Sequence, residues 1–152
     1  MRGYLDEPGM TAATIRDGWL RTGDLGSLNT LGNLTLSGRA SEVIITGGFN
    51  VYPAEIENVL ASAPGVRECC VYGVDDPYWG ERIEAVIVAV AGTETNNDEV
   101  LAFAKKELGP VRTPKALHTM DALPRNAVGK VVRRDVREHM QTLREVSDVE
   151  RL

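Results

Sequence analysis

Hydrophobic and polar residues change their pattern near residue 38. In the first part of the chain apolar residues are sparse, and Leu34 and Leu36 alternate with polar neighbours. This alternation predicts a half-buried strand, paired with a strand at 19–28 across a turn at 29–32. A short helix capped by a Thr is expected at 10–15. The stretch has few apolar residues for its length, so we interpret it as the edge of something larger.

After Arg39 the pattern becomes regular. Apolar residues at helical spacing predict three helices, the first of them beginning at Pro53, the second capped by Asn97 and the third marked by Val132 and Val136. Short apolar runs predict strands between them, and the run at 83–90 is apolar enough to be a central strand covered on both faces. The predicted order is β-β-α-β-β-α-β-α. The expected fold is α+β, with about three helices against a small mixed sheet.

Composition narrows the classes of function. The chain has 152 residues, 43% of them hydrophobic, which suits one domain with an ordinary core, or one such domain with an appendage. The 17 Lys and Arg residues against 22 Asp and Glu residues give a net charge of −5, which argues against nucleic acid as the main partner. The longest apolar run, 85–91, is too short to span a bilayer, and no apolar stretch of a signal peptide follows Met1.

The cysteines point to a reducing compartment. Cys69 and Cys70 are adjacent, so a disulfide scaffold is excluded and two reduced, buried thiols are expected. We therefore expect a cytoplasmic protein, with peripheral association with a membrane left open. Because His118 and His139 are the only histidines beside these two cysteines, no zinc or other metal site is predicted in this chain.

Two candidate contacts with a nucleotide lie in the first part of the chain. Asp24 follows Gly23 in a turn-like stretch, and its carboxylate could accept the paired hydroxyls of a ribose or could cap its own turn. Arg39 could contact a ribose or phosphate, or it could simply be solvated. From spacing alone the structural alternative is the commoner one in both cases.

Other candidates follow Arg39. Gly47 and Gly48 could allow a hairpin with positive φ, or could let a thin ligand pass close to the backbone. Lys130 ends a loop with Pro and Gly, and its ammonium could neutralise charge that develops on a transferring phosphoryl group, although most loop lysines are merely exposed. Trp79 could stack on a base or cover the core. Three further residues, Arg133, Arg134 and Arg137, are expected to form a solvated helix face.

The order of these segments is more informative than any one of them. They are the motifs at 18–25 (GWLRTGDL), at 38–57 (from Gly-Arg through GGFNVYPAEIE) and at 124–134 (PRNAVGKVVRR). In this order and spacing the chain resembles the C-terminal part of the adenylate-forming enzymes, which comprise acyl- and aryl-CoA synthetases, luciferases and nonribosomal adenylation domains. The resemblance covers about residues 3–140, and the sequence of residues 47–53 is most similar to that of fatty acyl-CoA ligases.

The resemblance implies a reaction in two steps. A carboxylic acid, expected to be a fatty acid, first attacks the α-phosphate of ATP, and the thiol of CoA then displaces AMP from the acyl-adenylate. Asp24 would hold the ribose hydroxyls, Arg39 would also contact the nucleotide, and Lys130 would bridge the carboxylate and the α-phosphate in the first step. Gly47, Gly48 and Phe49 would line the path of the CoA pantetheine in the second.

The resemblance also implies a division of the chain. Residues 1–38 would be the tail of a large N-terminal domain with its β-hairpin, 39–42 a hinge centred on Ser41, 43–144 the small C-terminal domain and 145–152 a tail. In the family the hinge residue is usually Asp or Lys. The phosphate loop, the residue that binds Mg²⁺ and the acyl pocket would lie in the large domain. The chain is therefore expected to be a fragment that is inactive by itself.

Two alternatives stay open at this point. The chain could belong to an adenylation domain that loads a carrier protein instead of free CoA. It could also be a binding module that keeps the fold without catalysis. The sequence upstream of Met1 and a test with free CoA would separate these possibilities.

Overall fold

The computed structural model describes residues 1–149 and divides the chain into two compact units. The first unit is Met1–Ser41 and the second is Glu42–Leu152. A 3-10 helix, Ala40–Glu42, spans the point of division. The division therefore falls inside the segment 39–42 that was predicted as a hinge.

The first unit consists of a short helix and two small hairpins. The predicted strand at 19–28 is interrupted before Asp24, since residues 19–20 pair with β1 whereas 24–28 pair with β4. The helix begins at Pro8, and its cap residue is Glu7 rather than a Thr. Thr11 instead lies inside the helix and donates its hydroxyl to the carbonyl of Glu7. The elements are α1 (Pro8–Thr14), β1 (Ile15–Arg16), β2 (Trp19–Leu20), β3 (Asp24–Leu28) and β4 (Leu34–Arg39).

This first unit has no core of its own. None of the residues 1–41, all of which the structure describes, is buried. Leu34 and Leu36, which the alternation predicted to be half-buried, are 62% and 65% exposed. The turn at 29–32 forms as predicted, because the Asn29 side chain accepts the backbone N–H groups of Leu31 and Asn33. Local sequence thus shapes the hairpin, while its leucine side chains stay largely exposed.

The second unit confirms the predicted α+β fold and the order of its elements. Within residues 42–149, three helices pack on a mixed five-stranded sheet. The strands follow the order β6-β5-β8-β7, and β9 joins β8 in parallel. The elements are β5 (Ile44–Thr46), β6 (Phe49–Val51), α2 (Pro53–Leu60), β7 (Val66–Asp76), β8 (Gly80–Ala89), α3 (Asn97–Arg112), β9 (Ala116–Thr119) and α4 (Arg133–Val149).

Strand β8 is central and covered on both faces, as its apolar run predicted. Because successive side chains of a strand point to opposite faces, Ile83, Ala85 and Ile87 join the core with α2 and α3. Val86 and Val88 join a second cluster, to which α4 contributes Val136 and Met140. The buried helix faces and the alternating strand together hold α4 on one side of the sheet and α2 and α3 on the other.

Several boundaries differ from the sequence prediction. The cap of α3 is Asn96, whose Oδ1 accepts the N–H of Asp98 at 2.9 Å, whereas Asn97 donates its side-chain amide to the carbonyl of Leu117. Gly109 has φ of 73° and interrupts α3, which continues to Arg112. Helix α4 continues to Val149, so the predicted tail at 145–152 begins within the helix, and 150–152 lie outside the described residues.

Candidate functional site

The loop before α4 holds the backbone of Lys130 and leaves its side chain exposed. The Asn126 side chain accepts the N–H of Lys130 at 2.9 Å, and the Asn126 N–H donates to the Lys130 carbonyl at 2.9 Å. Gly129 has φ of 81°, and its carbonyl accepts the Arg125 guanidinium at 2.7 Å. Among the described residues the Lys130 ammonium has no hydrogen-bond or ion-pair partner. A fixed backbone with an unpaired cation suits the binding of an anionic group, and it equally fits an ordinary exposed loop lysine.

Asp24 and Arg39 lie together in the first unit. They are directly opposite each other in the β3–β4 register, and Arg39 Nε lies 3.5 Å from Asp24 Oδ1. The Asp24 carboxylate does not cap its own turn, since it is the Thr22 hydroxyl that accepts the Asp24 N–H at 3.1 Å. The cap considered for Asp24 is therefore absent, whereas Arg39 is solvated, with 64% of its side chain exposed, and forms an exposed ion pair with Asp24.

Gly47 and Gly48 form the two-residue turn between β5 and β6. Their φ angles are 55° and 81°, which a non-glycine residue rarely adopts, so the turn interpretation is confirmed. A Cβ on Gly47 would come within 3.1 Å of the Trp79 ring, whereas a Cβ on Gly48 would meet no atom within 4 Å. Phe49, the next residue, is 60% exposed. The surface beside Gly48 is therefore open.

Trp79 packs against this turn. Its carbonyl accepts the Gly47 N–H at 2.8 Å, and Lys115 Nζ lies 4.7 Å from the centre of its ring. Tyr78 contacts the ring edge to face, with ring centres 5.2 Å apart. Trp79 is half-buried in these contacts, which favours the interpretation of a side chain that covers the core.

Arg133 contradicts the prediction of a solvated helix face. Its Nε donates to the Val71 carbonyl at 2.7 Å, its Nη2 donates to Glu57 Oε1 at 2.7 Å, and its Nη1 pairs with Glu42. Its side chain is only 23% exposed. The spacing from 133 to 136 and 140 could have revealed this, because it places Arg133 on the apolar face of α4. Among the described residues, Arg134 and Arg137 pair with more exposed carboxylates, as expected.

Charges around Arg133 also affect the neighbouring thiols. Burial lowers the pKa of the Arg133 guanidinium, but Glu57 and Glu42 outweigh it and raise the pKa above its ordinary value. Burial, with a further contribution from Glu57, raises the pKa of the Cys69 thiol to about 12. Burial likewise raises the pKa of Cys70 to about 12, although Arg133 opposes it. Both cysteines are free, with Cys70 buried and Cys69, against expectation, only half-buried.

The predicted site residues are divided between the two units. Asp24 and Arg39 belong to the first unit, while the turn with Gly48 and the loop with Lys130 belong to separate parts of the second. Ser41, the predicted hinge residue, is exposed and ends the first unit. Over residues 1–149 no group of three or more His, Cys, Asp or Glu side chains is arranged to hold a metal ion.

Comparison with known proteins identifies the second unit. Residues 55–130 match the family model of the AMP-binding enzyme C-terminal domain. The chain belongs to this family. The matched range ends at Lys130, whereas Asp24, Arg39, Ser41 and the residues of the β5–β6 turn lie outside it. Family membership thus confirms the resemblance seen in the sequence without testing the roles of these residues.

The relatives are CoA ligases with different acids in their names. A methyl-dioxo-octahydro-indenyl-propanoyl:CoA ligase of Rhodococcus jostii is 47% identical over 91% of this chain and 27% of its own length. The long-chain-fatty-acid–CoA ligase of Bacillus subtilis is 41% identical over 91% of this chain and 25% of its own. This chain therefore spans about a quarter of the length of the relatives it matches.

Solved structures show the same fold. The o-succinylbenzoate CoA synthetase of Bacillus subtilis, in complex with its acyl-adenylate intermediate, superposes with a TM-score of 0.84 at 38% identity. The match covers 90% of this chain and 28% of that one. No helix in the described part of this chain is long and apolar enough to cross a membrane.

Proposed function

We propose that this chain is the C-terminal part of an ATP-dependent, AMP-forming acid–thiol ligase. The observation that carries the proposal is the family match ending on Lys130, whose exposed ammonium has no partner within residues 1–149 and is presented by a fixed backbone. In the first step a carboxylate oxygen attacks the α-phosphorus of ATP, and pyrophosphate leaves. In the second step the sulfur of CoA attacks the acyl carbon, and AMP leaves.

The residues of this chain have separate parts in that reaction. Lys130 stabilises negative charge on the carboxylate and α-phosphate during the first step. Asp24 accepts the ribose hydroxyls, and Arg39, which orients it, contacts the nucleotide. The open surface beside Gly48, with Gly47 and Phe49, lines the pantetheine path in the second step. Support for these roles comes from the exposed Lys130, the Asp24–Arg39 pair and the space beside Gly48.

A hinge at Ser41 allows one small domain to serve both steps. We propose that Lys130 faces the nucleotide for adenylation and leaves it before the thiol attacks. The division of the chain between Ser41 and Glu42 supports this place for the pivot. The ATP phosphate loop, the Mg²⁺ site and the acyl pocket belong to the N-terminal domain, which is the partner of this chain. We place the reaction in the cytoplasm.

For the acid we propose a fatty acid, supported by the similarity of 47–53 to fatty acyl-CoA ligases and by the Bacillus subtilis relative. The test is to incubate the full-length protein that carries this chain with ATP, CoA and a panel of acids, and to measure AMP and acyl-CoA by mass spectrometry. Palmitate is expected to give thioester, and the 152-residue chain alone to stay at background. If only cyclic or aromatic acids are turned over, the proposed fatty acid substrate is wrong and a cyclic or aromatic acid takes its place.

Two other outcomes would replace the proposal itself. Acyl-adenylate that is passed to a carrier protein but not to free CoA would identify a carrier-loading adenylation domain. Absence of any acid-dependent AMP formation across the panel would favour a binding module without catalysis.

A further inference from the structure

Three separate segments of the second unit converge on the guanidinium of Arg133. Its three nitrogens each have a different acceptor, namely the Val71 carbonyl on β7, Glu57 on α2 and Glu42 in the 3-10 helix. The whole fork of the guanidinium is therefore used. A lysine at this position has a single nitrogen and could not reach three acceptors in these directions.

Glu57 and Arg133 together complete the edge of the sheet. Strand β7 is at one end of the strand order, so its outer backbone groups lack a neighbouring strand. Glu57 Oε1 accepts the Val71 N–H at 2.9 Å, and Arg133 Nε donates to the Val71 carbonyl. The two side chains also bond each other, at 2.7 Å. This closed ring of hydrogen bonds fixes the start of α4 against β7.

The same guanidinium lies a short way along the backbone from Lys130. Arg133 is the first residue of α4, three positions after Lys130. Backbone bonds join the intervening segment to the opposite arm of the loop, since the Val132 N–H donates to the Pro124 carbonyl at 3.0 Å. At its other side the guanidinium holds Glu42, the first residue of the second unit and the neighbour of Ser41.

We propose that Arg133 is a positioning residue for Lys130. It holds the base of the Lys130 loop against Glu42, the residue next to Ser41, so that the loop and the end of the hinge segment move as one rigid element. The inference rests on the proposed function, because it assumes that Lys130 acts in adenylation. A displacement of about 1 Å at a reacting group can cost on the order of a hundredfold in rate, so the fastening matters for catalysis.

The second anchor of α4 provides a comparison. Arg144 lies three turns further along the same face and pairs with Glu84, which is 1% exposed. Loss of either arginine removes an ion pair from a carboxylate and destabilises the fold, although Glu84 keeps Arg82 at 2.7 Å. Only loss of Arg133 should loosen the first turn of α4 and the loop before it, because Val136, Met140 and Arg144 hold the rest of the helix.

The test uses the full-length ligase with Arg133→Met, Arg133→Lys and Glu42→Gln. Arg137→Met is the matched control, because Arg137 is one turn further on and its ion-pair partner within residues 1–149 is the exposed Asp75. For each variant three quantities are measured: the rate of acyl-adenylate formation, the rate of thioester formation from supplied acyl-adenylate, and hydrogen exchange of the Lys130 amide. Glu42→Gln removes one carboxylate charge at a partly exposed site, so it keeps the test valid if Arg133→Met does not fold.

We expect Arg133→Met to lower kcat of adenylation by about ten- to a hundredfold, with little change in KM for ATP and in the thioester step. Arg133→Lys should recover only part of the adenylation rate. The adenylation rate of Glu42→Gln should lie between that of Arg133→Lys and that of the wild type. Exchange of the Lys130 amide should accelerate in the same order. Arg137→Met should match the wild type in all three quantities.

Arg144→Met supplies the comparison that separates positioning from stability. If Arg133→Met and Arg144→Met lower both half-reactions alike, in proportion to their melting temperatures, Arg133 is merely structural and the proposal is overturned. Unchanged adenylation in Glu42→Gln and Arg133→Met would also overturn it. If the wild type forms no acyl-adenylate, the proposed function fails instead, while the exchange of Lys130 still decides whether Arg133 fixes that loop.

Discussion

Asp24 and Arg39 face each other across the β3–β4 hairpin, with Arg39 Nε 3.5 Å from Asp24 Oδ1. Both side chains remain in contact with water, at 36% exposure for Asp24 and 64% for Arg39. An exposed ion pair of this kind contributes only about 0–1 kcal/mol to stability. The pair therefore orients two polar groups without burying them, which leaves both available to a nucleotide.

Asp24→Ala in the full-length protein should weaken nucleotide binding and spare the fold. Hydrogen bonds to a charged group are each worth about 1.5–3 kcal/mol, so KM for ATP is expected to rise on the order of tenfold or more. The melting temperature should stay close to that of the wild type. Ser27→Ala, on the same strand, is the control. A lower melting temperature with unchanged KM would assign the Asp24–Arg39 pair to the hairpin alone.

Lys130→Ala should damage adenylation and nearly spare the thioester step. A well-placed charge in a closed site is worth a few kcal/mol, so acyl-adenylate formation should fall by about a hundredfold or more. The fold should not suffer, because the loop is held by Asn126 and the ammonium has no partner among the described residues. Separate assays of the two half-reactions check this, with Lys105→Ala, an exposed lysine on α3, as control. Equal loss in both steps would show that Lys130 acts structurally.

The fold of the second unit was predictable because the spacing of apolar residues within each segment indicates whether that segment is a helix or a strand. The apolar run of β8 indicates burial on both faces, and the structure places Ile83 and Val86 in opposite cores. The same reasoning failed for Leu34 and Leu36, whose alternation is correct but whose covering surface is not supplied by residues 1–41. A pattern shows which face of a strand is apolar, and it does not show what covers that face.

Arg133 escaped the sequence analysis for a related reason. Charged residues on helices are mostly solvated, and its three partners lie 62 to 91 positions away along the chain. No local spacing brings Glu42, Glu57 and Val71 to one point; only the packing of α2 and α4 against β7 does. By contrast, the turn at Gly47 and Gly48 was predictable, since a two-residue turn requires positive φ at both positions and glycine adopts it readily.

The two cysteines should be nearly inert in the folded chain. Their pKa values are raised from 9.0 to about 12, chiefly by burial, so at pH 8 their thiolate fraction is on the order of a thousandfold lower than that of a free thiol. Iodoacetamide at pH 8 should therefore label Cys69 and Cys70 slowly in the native chain and rapidly in urea, as followed by mass spectrometry. Rapid native labelling of Cys70 would mean that its cover opens often.

Gly48 offers a test of the pantetheine path. A side chain there would point into open space, but φ of 81° strains any L residue, at a cost of roughly 1–2 kcal/mol. Asn tolerates positive φ better than Leu does. Gly48→Asn should therefore melt near the wild type, and Gly48→Leu should melt lower. If the turn lines the path, both variants should lose most thioester formation while acyl-adenylate still accumulates.

Gly92 provides the matched control for this strain. It has φ of 77° and equally open space, in the turn that follows β8. Gly92→Asn and Gly92→Leu should show the same changes in melting temperature as the corresponding Gly48 variants, with no change in the rate of thioester formation. Thermal melts and separate half-reaction assays on the full-length protein compare the four variants. If the Gly48 and Gly92 variants lose both half-reactions in parallel with their stability, Gly48 serves only the turn. Thioester loss confined to the Gly48 pair, at unchanged adenylation, would show that an added side chain there blocks the thiol.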